Sequence, residues 1–411
     1  MLRFLGKIFL FILFFNYLYQ INYSFSPLST NVLLGIVGII IYVVYPTVRR
    51  EMVDGISVKN ILYLFVPLEF ISFFSIFVNT STDFYFIKWG IINVLNFFGA
   101  MFLTYLIKKT WGYLNAHLIV KLMLFSALVQ LTLAITMWIN PTLYEFLFSV
   151  VHYDEIALRS MDRTEGHRLL GFGLSFFTSG VIHGLILILM SSFYEKKNSL
   201  KMFLWTLAFI YIAAVGMMMA RTTIVGIIVA IILITLRTLQ REITIKKYVS
   251  IFATICIIVF SFTTILYGFF EEFKTAIDFG FQMFISKQET GEVHVDSWAH
   301  MLEMYIFPSD LSTWIIGDAK WSDAGGYYMG TDIGFIRMIF YFGLLGLSLF
   351  LLYNIYMLKS LYKQNKELGI YLFIFLFFYV VTVNGKGFVD LFPYIIPLYF
   401  CERSFRNFKV D

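Results

Sequence analysis

Three arginines, Arg168, Arg221 and Arg337, lie beside or inside apolar stretches of this chain. A guanidinium group in lipid is costly unless it faces a cavity or finds a partner. Each arginine lies near the start of a predicted helix, where free backbone N–H groups favour an anion, and its planar fork suits bidentate contacts with phosphate. The three arginines predict a binding site for a phosphate or diphosphate group. The alternative is that they reach lipid phosphates or pair with Glu165 or Asp332.

Proton transfer would need a carboxylate or an imidazole on the same side of the membrane as these arginines. A general base must reach the proton that it removes, and Asp332 is the best placed because it lies at the start of the helix that carries Arg337. His300 is the second candidate, and His183, inside an apolar span, is interpreted as a packed polar residue. No P-loop, dinucleotide-binding glycine pattern or zinc-binding histidine spacing is present. The full set of candidate bases is Glu272, His294, Asp296, His300, Asp318, Asp323 and Asp332.

The elements that must position these residues are apolar helices. The chain of 411 residues is 59% hydrophobic and 14% charged, whereas soluble domains are about 25% charged. Its apolar residues recur in blocks of about 20, the length of helix that crosses a hydrocarbon core. Residues 202–237 are interpreted as two spans with Arg221 at the bend, one long tilted helix being the alternative. We predict an all-α polytopic membrane protein whose twelve spans lie near 4–20, 31–48, 61–78, 84–107, 117–138, 169–193, 202–219, 222–237, 248–268, 332–358, 368–383 and 388–402.

Basic residues predict the orientation of these spans. Lysine and arginine collect at the N-terminus and in alternate loops, for example at Lys108 and Lys109 and at Lys196 and Lys197. The positive-inside rule therefore places both termini in the cytoplasm and the three arginines at the outer face. The first stretch, "MLRFLGKIFLFILFF", has the basic and apolar parts of a signal peptide without a small-residue cleavage site, so we expect it to be the first span.

Two outer segments are longer than simple turns, residues 140–168 and residues 269–331. In the second, "HVDSWAHMLEMYIFPSDL" has apolar residues at helical spacing and predicts amphipathic helices lying on the outer membrane surface. We find no internal repeat and no low-complexity linker, which predicts one integral membrane domain over residues 1–411. Cys256 and Cys401 both fall within predicted spans and offer neither a disulfide framework nor a set of metal ligands.

Three stretches together resemble the bacterial O-antigen polymerases (Wzy), which are relatives of the O-antigen ligases. They are "HRLLGFGLSFFTSGVIHGL", "MMMARTTIVGII" and "WIIGDAKWSDAGGYYMGTDIGFIRMIFYFGLLGL", and the likeness covers most of residues 140–350. Ala220 stands where the family often has serine. "GTDIGF" stands where ligases usually show a His-Asn pair, which favours a polymerase over a ligase.

The resemblance implies a membrane-embedded glycosyltransferase of the inner membrane. It would transfer a glycan from undecaprenyl diphosphate to the non-reducing end of another lipid-linked repeat unit and release undecaprenyl diphosphate. Arg168 and Arg221 would hold the diphosphate, and Asp332 and Arg337 fall in the closing segment of the pattern. Because fixed arginines can stabilise the charge on a leaving diphosphate, we expect no metal ion and no other cofactor. Expected partners are membrane lipid, a chain-length regulator and a flippase, but not nucleic acid.

Two other functions fit the same sequence. A ligase would pass the glycan to the lipid A core, and a flippase or other transporter of lipid-linked oligosaccharides would also have many spans and buried charges. Transporters tend to show repeat symmetry and interrupted helices near the middle of the membrane, whereas here the charges collect at one face. The polymerase is therefore the preferred interpretation.

Overall fold

The fold is almost entirely helical. The computed structural model of the chain describes residues 2–52, 55–153, 158, 168–173, 176–193, 199–239, 271–291, 301–323 and 326–401, with a few single positions between 253 and 268. Two strands in these ranges, β1 (Ser322–Asp323) and β2 (Gly326–Tyr327), form a short antiparallel hairpin. The helices are α1 (Leu2–Tyr19), α2 (Thr30–Val44), α3 (Pro46–Met52), α4 (Gly55–Val78), α5 (Tyr85–Trp111), α6 (Ala116–Ile139), α7 (Pro141–Val150), α8 (Phe176–Ser191), α9 (Ser199–Met219), α10 (Thr223–Leu239), α11 (Glu271–Thr290), α12 (Leu311–Ile315), α13 (Gly334–Gln364), α14 (Ile370–Asn384) and α15 (Phe392–Ile395).

Several helices have the length and composition needed to cross a membrane. Among the described residues, 4 helices pass on both counts: α5, α6, α9 from Leu200 onward, and α13. Helices α2 and α3 would make a fifth span if they count as one, although they are bent by 107°. The bend follows from Pro46, which keeps Tyr45 out of the helical region (φ −111°, ψ 92°). The predicted all-α class is confirmed, and the structure has helices long and apolar enough to span a membrane. The count of twelve spans stays a prediction.

The structure differs from the predicted spans in three places. Residues 168–173, at the start of the predicted sixth span, are not helical, and α8 begins at Phe176. The predicted twelfth span is interrupted, because α15 has four residues and is followed by a short 3₁₀ helix, Ile396–Phe400. Pro393 and Pro397 lie in these two pieces and remove backbone N–H donors that a continuous helix needs. Most of the predicted ninth span, 248–268, lies outside the described residues.

Helix α13, the predicted tenth span, is broken near its start. Phe342 and Gly343 have non-helical backbone angles, with φ +68° at Gly343. The break leaves carbonyl groups without helical donors, and the loop after α12 supplies replacements. The Asp318 N–H donates to the Phe340 carbonyl (2.6 Å) and the Ala319 N–H to the Tyr341 carbonyl (3.0 Å). The carbonyl groups freed by the break are thus hydrogen-bonded, so the break is an ordered part of the fold and not a frayed helix end.

The two long segments that the sequence predicts to lie outside the membrane contain structure of their own. The first begins with α7, whose N-cap is Asn140; its side chain accepts a hydrogen bond from the Leu143 N–H (3.1 Å). The second contains α11 and α12. The stretch "HVDSWAHMLEMYIFPSDL", in which helices were predicted, is helical in its described part only at residues 301–303 and at Leu311, where α12 begins. The chain turns at Met304, and Pro308 disfavours a helical conformation in the residue before it.

The chain divides into two compact units. Unit 1 comprises Met1–Leu18, Leu28–Ile119 and Ala299–Asp411, and unit 2 comprises Tyr19–Pro27 and Val120–Trp298. This division does not test the prediction of a single integral membrane domain, which stays a prediction.

Each unit contains a close helix pair built on glycine. In unit 1, α2 packs on α5, with Gly38 against the Phe98 backbone and the Asn31 amide donating to the Asn96 side chain (2.7 Å). In unit 2, Gly226 of α10 lies against the backbone of Gly184 of α8. Small residues at such contacts are what lets helices approach closely inside a membrane.

Candidate anion-binding site

Arg221 lies in the tight turn between α9 and α10. The Ala220 N–H donates to the Gly216 carbonyl (2.9 Å), and the Thr223 N–H donates to the Ala220 carbonyl (3.0 Å). Residues 202–237, predicted as two spans with Arg221 at the bend, do form two helices with Arg221 between them, and that both cross the membrane stays a prediction. Arg221 precedes by two residues a helix of 17 residues, whose N-terminal backbone dipole favours an anion.

Arg168 begins a non-helical segment, residues 168–173, that runs beside the same turn. The Leu169 N–H donates to the Met218 carbonyl in the last turn of α9 (3.3 Å). Met218 is three residues before Arg221, so this hydrogen bond ties the backbone next to Arg168 to the backbone next to Arg221.

A third segment of unit 2 reaches the same place through a glycine. A Cβ atom added to Gly280 of α11 would lie 3.1 Å from the Met218 nitrogen and 3.2 Å from the Met217 carbonyl carbon. Because Gly280 has no side chain, α11 can lie directly on the end of α9. The neighbouring residue, Phe279, is thereby brought to the two arginines.

The phenyl ring of Phe279 contacts both guanidinium groups. Its centroid lies 4.2 Å from Cζ of Arg168 and 4.1 Å from Cζ of Arg221, and Arg168 also lies 5.1 Å from the ring of Phe176. Each such cation–π contact is worth roughly 0.5–2 kcal/mol, depending on how far it is removed from water. One aromatic ring thus serves as a platform for two cations. Arg168, Arg221, Phe279 and Gln282 are called the paired-arginine site below.

The polar contacts of this site differ between the two arginines. Nη1 of Arg221 donates to the neutral Gln282 side chain (2.7 Å). Nε of Arg168 is buried and has no hydrogen-bond partner, and no carboxylate forms an ion pair with Arg168, among the described residues. Burial and the like charge of Arg221 lower the pKa of Arg168 to about 10, so it stays protonated at neutral pH. An anion between two guanidinium forks would relieve this repulsion and supply the missing acceptor.

Arg337 belongs to unit 1, where it is held between two aromatic rings. It lies in the first turn of α13, with Cζ 3.7 Å from the ring centroid of Trp321 and 4.1 Å from that of Tyr327. Its Nη2 donates to the Trp321 carbonyl (3.1 Å), and its side chain is only 7% exposed. Arg337 is thus packed against the β1–β2 hairpin and against Trp321, the residue that precedes β1.

Asp83 holds the segment that carries Trp321. Its carboxylate accepts hydrogen bonds from the backbone N–H groups of Trp321 (2.7 Å), Ser322 (3.3 Å) and Tyr85 (3.0 Å). The Tyr341 hydroxyl donates to the Asp83 carbonyl (2.7 Å). Asp83 therefore connects the loop before α5 to both the hairpin and the helix of Arg337. The sequence does not predict this role, because an aspartate before a helix indicates only an N-terminal cap.

The predicted bases have different positions in the structure. Asp332 is half-buried immediately before Ile333, the N-cap of α13, and its negative charge interacts with Arg337. Asp318 accepts hydrogen bonds from the hydroxyls of Thr313 (2.7 Å) and Tyr328 (3.2 Å), which is a local structural role.

Four of the remaining candidates cannot be placed relative to the site. Asp323 lies in β1, and the side chain of Glu272 in α11 is not described. His294, Asp296 and His300 lie outside the described residues. His183 is fully buried in α8 with its ring edge-on to Tyr19, at a centroid distance of 6.4 Å, as expected for a packed residue.

Of the predicted site residues, the structure brings together Arg168 with Arg221 in unit 2, and Arg337 with Asp332 in unit 1. The contacts made by Phe279, Gln282 and Asp83 were not predictable from the sequence. In the described part of the chain, no cluster of three or more His, Cys, Asp or Glu residues is placed to hold a metal ion. No family model, curated protein or solved structure matches the chain.

Proposed function

We propose that this protein is a membrane-embedded polymerase of lipid-linked glycans, of the O-antigen polymerase type. One observation carries the proposal: Arg168 and Arg221 share the Phe279 ring, while the buried Nε of Arg168 has no partner among the described residues. Two cations held this close favour a ligand with more than one negative charge. A diphosphate attached to a membrane lipid has that charge and would reach the site from the bilayer.

The proposed reaction transfers the glycan to a sugar hydroxyl. The acceptor oxygen bonds to the anomeric carbon of the donor glycan, the bond from that carbon to the diphosphate breaks, and undecaprenyl diphosphate leaves. Negative charge grows on the diphosphate during this step, and fixed guanidinium groups stabilise it without reorganisation. We assign removal of the acceptor's proton to Asp332, with His300 as the alternative base. No step in this scheme requires a metal ion or another cofactor.

The proposed location, substrates and partners of the protein follow from the proposed function. The protein would lie in the bacterial inner membrane with both termini in the cytoplasm and its active face in the periplasm. Its substrates would be undecaprenyl-diphosphate-linked oligosaccharides. A chain-length regulator and a flippase are the proposed protein partners.

Lysine substitutions test the paired-arginine site. Arg221→Lys and Arg168→Lys keep the charge but lose the planar fork, so we expect each to reduce polymer formation severely at a normal protein level. The measurement is the lipopolysaccharide ladder of a deletion strain complemented with each variant. Arg237→Lys is the matched control, since Arg237 lies at the end of α10 and donates to the Ser191 carbonyl (3.1 Å), and it should restore the full ladder. Free substitution by lysine at both positions would show that the arginines are membrane anchors.

The lipopolysaccharide of the deletion strain distinguishes the alternative functions. Loss of a polymerase leaves a single repeat unit on the lipid A core, whereas loss of a ligase or a flippase leaves the core unmodified. A bare core in the deletion strain would reject the polymerase and favour one of the other two.

A further inference from the structure

Unit 1 contains a groove between α4 and α13 that none of the residues assigned above lines. Its volume is about 510 Å³, within the range of sites that bind small molecules. Most of its lining is apolar, including Leu64 and Leu68 of α4 and Leu352 of α13. Asn60 and Lys359 add polar groups to this lining.

The length of the groove corresponds to one leaflet of a bilayer. On α13 its lining runs from Leu349 to Lys359, ten residues apart, or about 15 Å along a helix. On α4 the lining runs from Asn60 to Leu68, or about 12 Å. A bilayer's hydrocarbon core is about 30 Å thick, so the groove spans about half of it. That length suits the chain of a phospholipid in one leaflet, but a polyprenyl chain of many isoprene units would extend well beyond it.

The charge in the groove lies at the end where a phospholipid phosphate would be. Lys359 is the first charged residue of α13 after Arg337. Its side chain is exposed and forms no ion pair among the described residues. Asn60, on α4, lines the same groove and can donate a hydrogen bond. An ammonium group and an amide beside a long apolar groove complement a phosphate with an acyl chain.

We propose that this groove binds an anionic phospholipid of one leaflet. An acyl chain lies along Leu64, Leu68 and Leu352, and the phosphate contacts Lys359 and Asn60. The positive-inside rule predicts that Lys359 lies at the cytoplasmic end, where anionic lipid headgroups attract basic residues. This proposal is independent of the proposed glycan transfer.

Native mass spectrometry of the full-length protein in detergent tests the proposal, with phosphatidylglycerol as the probe. Lys359→Glu should weaken binding by about tenfold, since a charge-assisted contact is lost and a repulsive one is added. Leu352→Trp should have a similar effect by filling the groove, and diacylglycerol with the same chains should bind at least about tenfold more weakly than phosphatidylglycerol.

Two matched variants serve as controls. Lys121→Glu makes the same charge change on an exposed residue of α6, and Ile91→Trp makes the same kind of enlargement on α5, where Ile91 is 59% exposed against 58% for Leu352. Both should bind the probe like the unchanged protein. The proposal would be overturned if Lys359→Glu and Leu352→Trp bound phosphatidylglycerol as tightly as the unchanged protein does. It would also be overturned if the unchanged protein bound diacylglycerol as tightly as phosphatidylglycerol, or if an isoprenyl phosphate bound in the groove more tightly than phosphatidylglycerol.

Discussion

At the scale of single residues, Arg168 has a charge that no carboxylate in the described part of the chain offsets. The pKa of its guanidinium group falls from its ordinary value to about 10, first because the group is buried and second because Arg221 is close. Between these two pH values the unfolded chain holds the proton more tightly than the folded one, so stability rises with pH there. At neutral pH both states are protonated, and the whole unfavourable effect on folding is present. A residue that lowers stability in this way is typical of a binding site.

Replacing Arg168 should therefore stabilise the protein and abolish anion binding. We expect Arg168→Met to raise the midpoint of thermal unfolding by a few degrees at pH 7, since a buried, repelled cation is removed. Inorganic pyrophosphate at 100 times its Kd should stabilise the unchanged protein by about 2.7 kcal/mol and leave the variant unaffected. Unfolding in detergent, followed with and without pyrophosphate, measures both effects.

Arg237→Met is the matched control for this experiment. Arg237 donates to the Ser191 carbonyl, so its removal should not stabilise the protein, and pyrophosphate should still bind. A lower midpoint for Arg168→Met, together with an unchanged response to pyrophosphate, would mean that Arg168 is a structural residue.

At the scale of elements, the break in α13 determines how Arg337 is presented. The first part of the helix, Gly334–Tyr341, ends at the break, and backbone N–H groups of Asp318 and Ala319 bind the freed carbonyls. The same loop leads into Trp321, which stacks on Arg337. The break, the loop and the arginine therefore form one connected arrangement, in which Gly343 is the residue with the unusual backbone angle.

Gly343→Ala should destabilise this arrangement strongly. Gly343 has φ +68°, and a Cβ atom there would overlap the backbone of Ile315. We expect a loss of at least about 2 kcal/mol in the free energy of unfolding, from strain and overlap together. Gly369→Ala is the control, because Gly369 also has a positive φ (+80°) but has open space around the added Cβ. It should lose less than Gly343→Ala, since only the backbone strain of about 1–3 kcal/mol applies there, and equal losses at the two positions would contradict the role of the Ile315 contact.

At the scale of the whole molecule, the orientation in the membrane decides which residues face the periplasm. The positive-inside rule predicts that the loop before α5 and helix α11 are outside, and that the start of α4 and the end of α13 are inside. Single cysteines at Thr82 and Gln288 should react with an impermeant thiol reagent added to intact spheroplasts. Cysteines at Asn60 and Lys363 should react only after permeabilisation. All four positions are exposed in the structure, so accessibility within the fold does not limit the reaction.

Labelling at Gln288 is the most informative of these measurements. Helix α11 carries Phe279 and Gln282, so protection of Gln288 from outside would move the paired-arginine site away from the periplasm. That outcome would contradict the proposal that glycans are transferred at the outer face of the membrane.

The sequence by itself determined the features that depend on local composition. Apolar blocks of spanning length predict helices, because a chain in lipid must satisfy its backbone hydrogen bonds within the segment. Arg221 at the bend between α9 and α10 was predictable for the same reason, since an arginine interrupts an apolar stretch that is too long for one crossing. The helical class and the turn at Arg221 are both present in the structure.

Only the tertiary structure decided which distant residues share a site. Arg221 and Gln282 are 61 positions apart, and Asp83 and Trp321 are 238 positions apart, so no local pattern links them. The position of Phe279 between Arg168 and Arg221 depends on Gly280 fitting against Met218, and the break in α13 depends on donors from a separate loop. Periodicity in the sequence reports which face of a helix is apolar. Which other segment covers that face is determined by packing between elements, and a single sequence holds no local record of it.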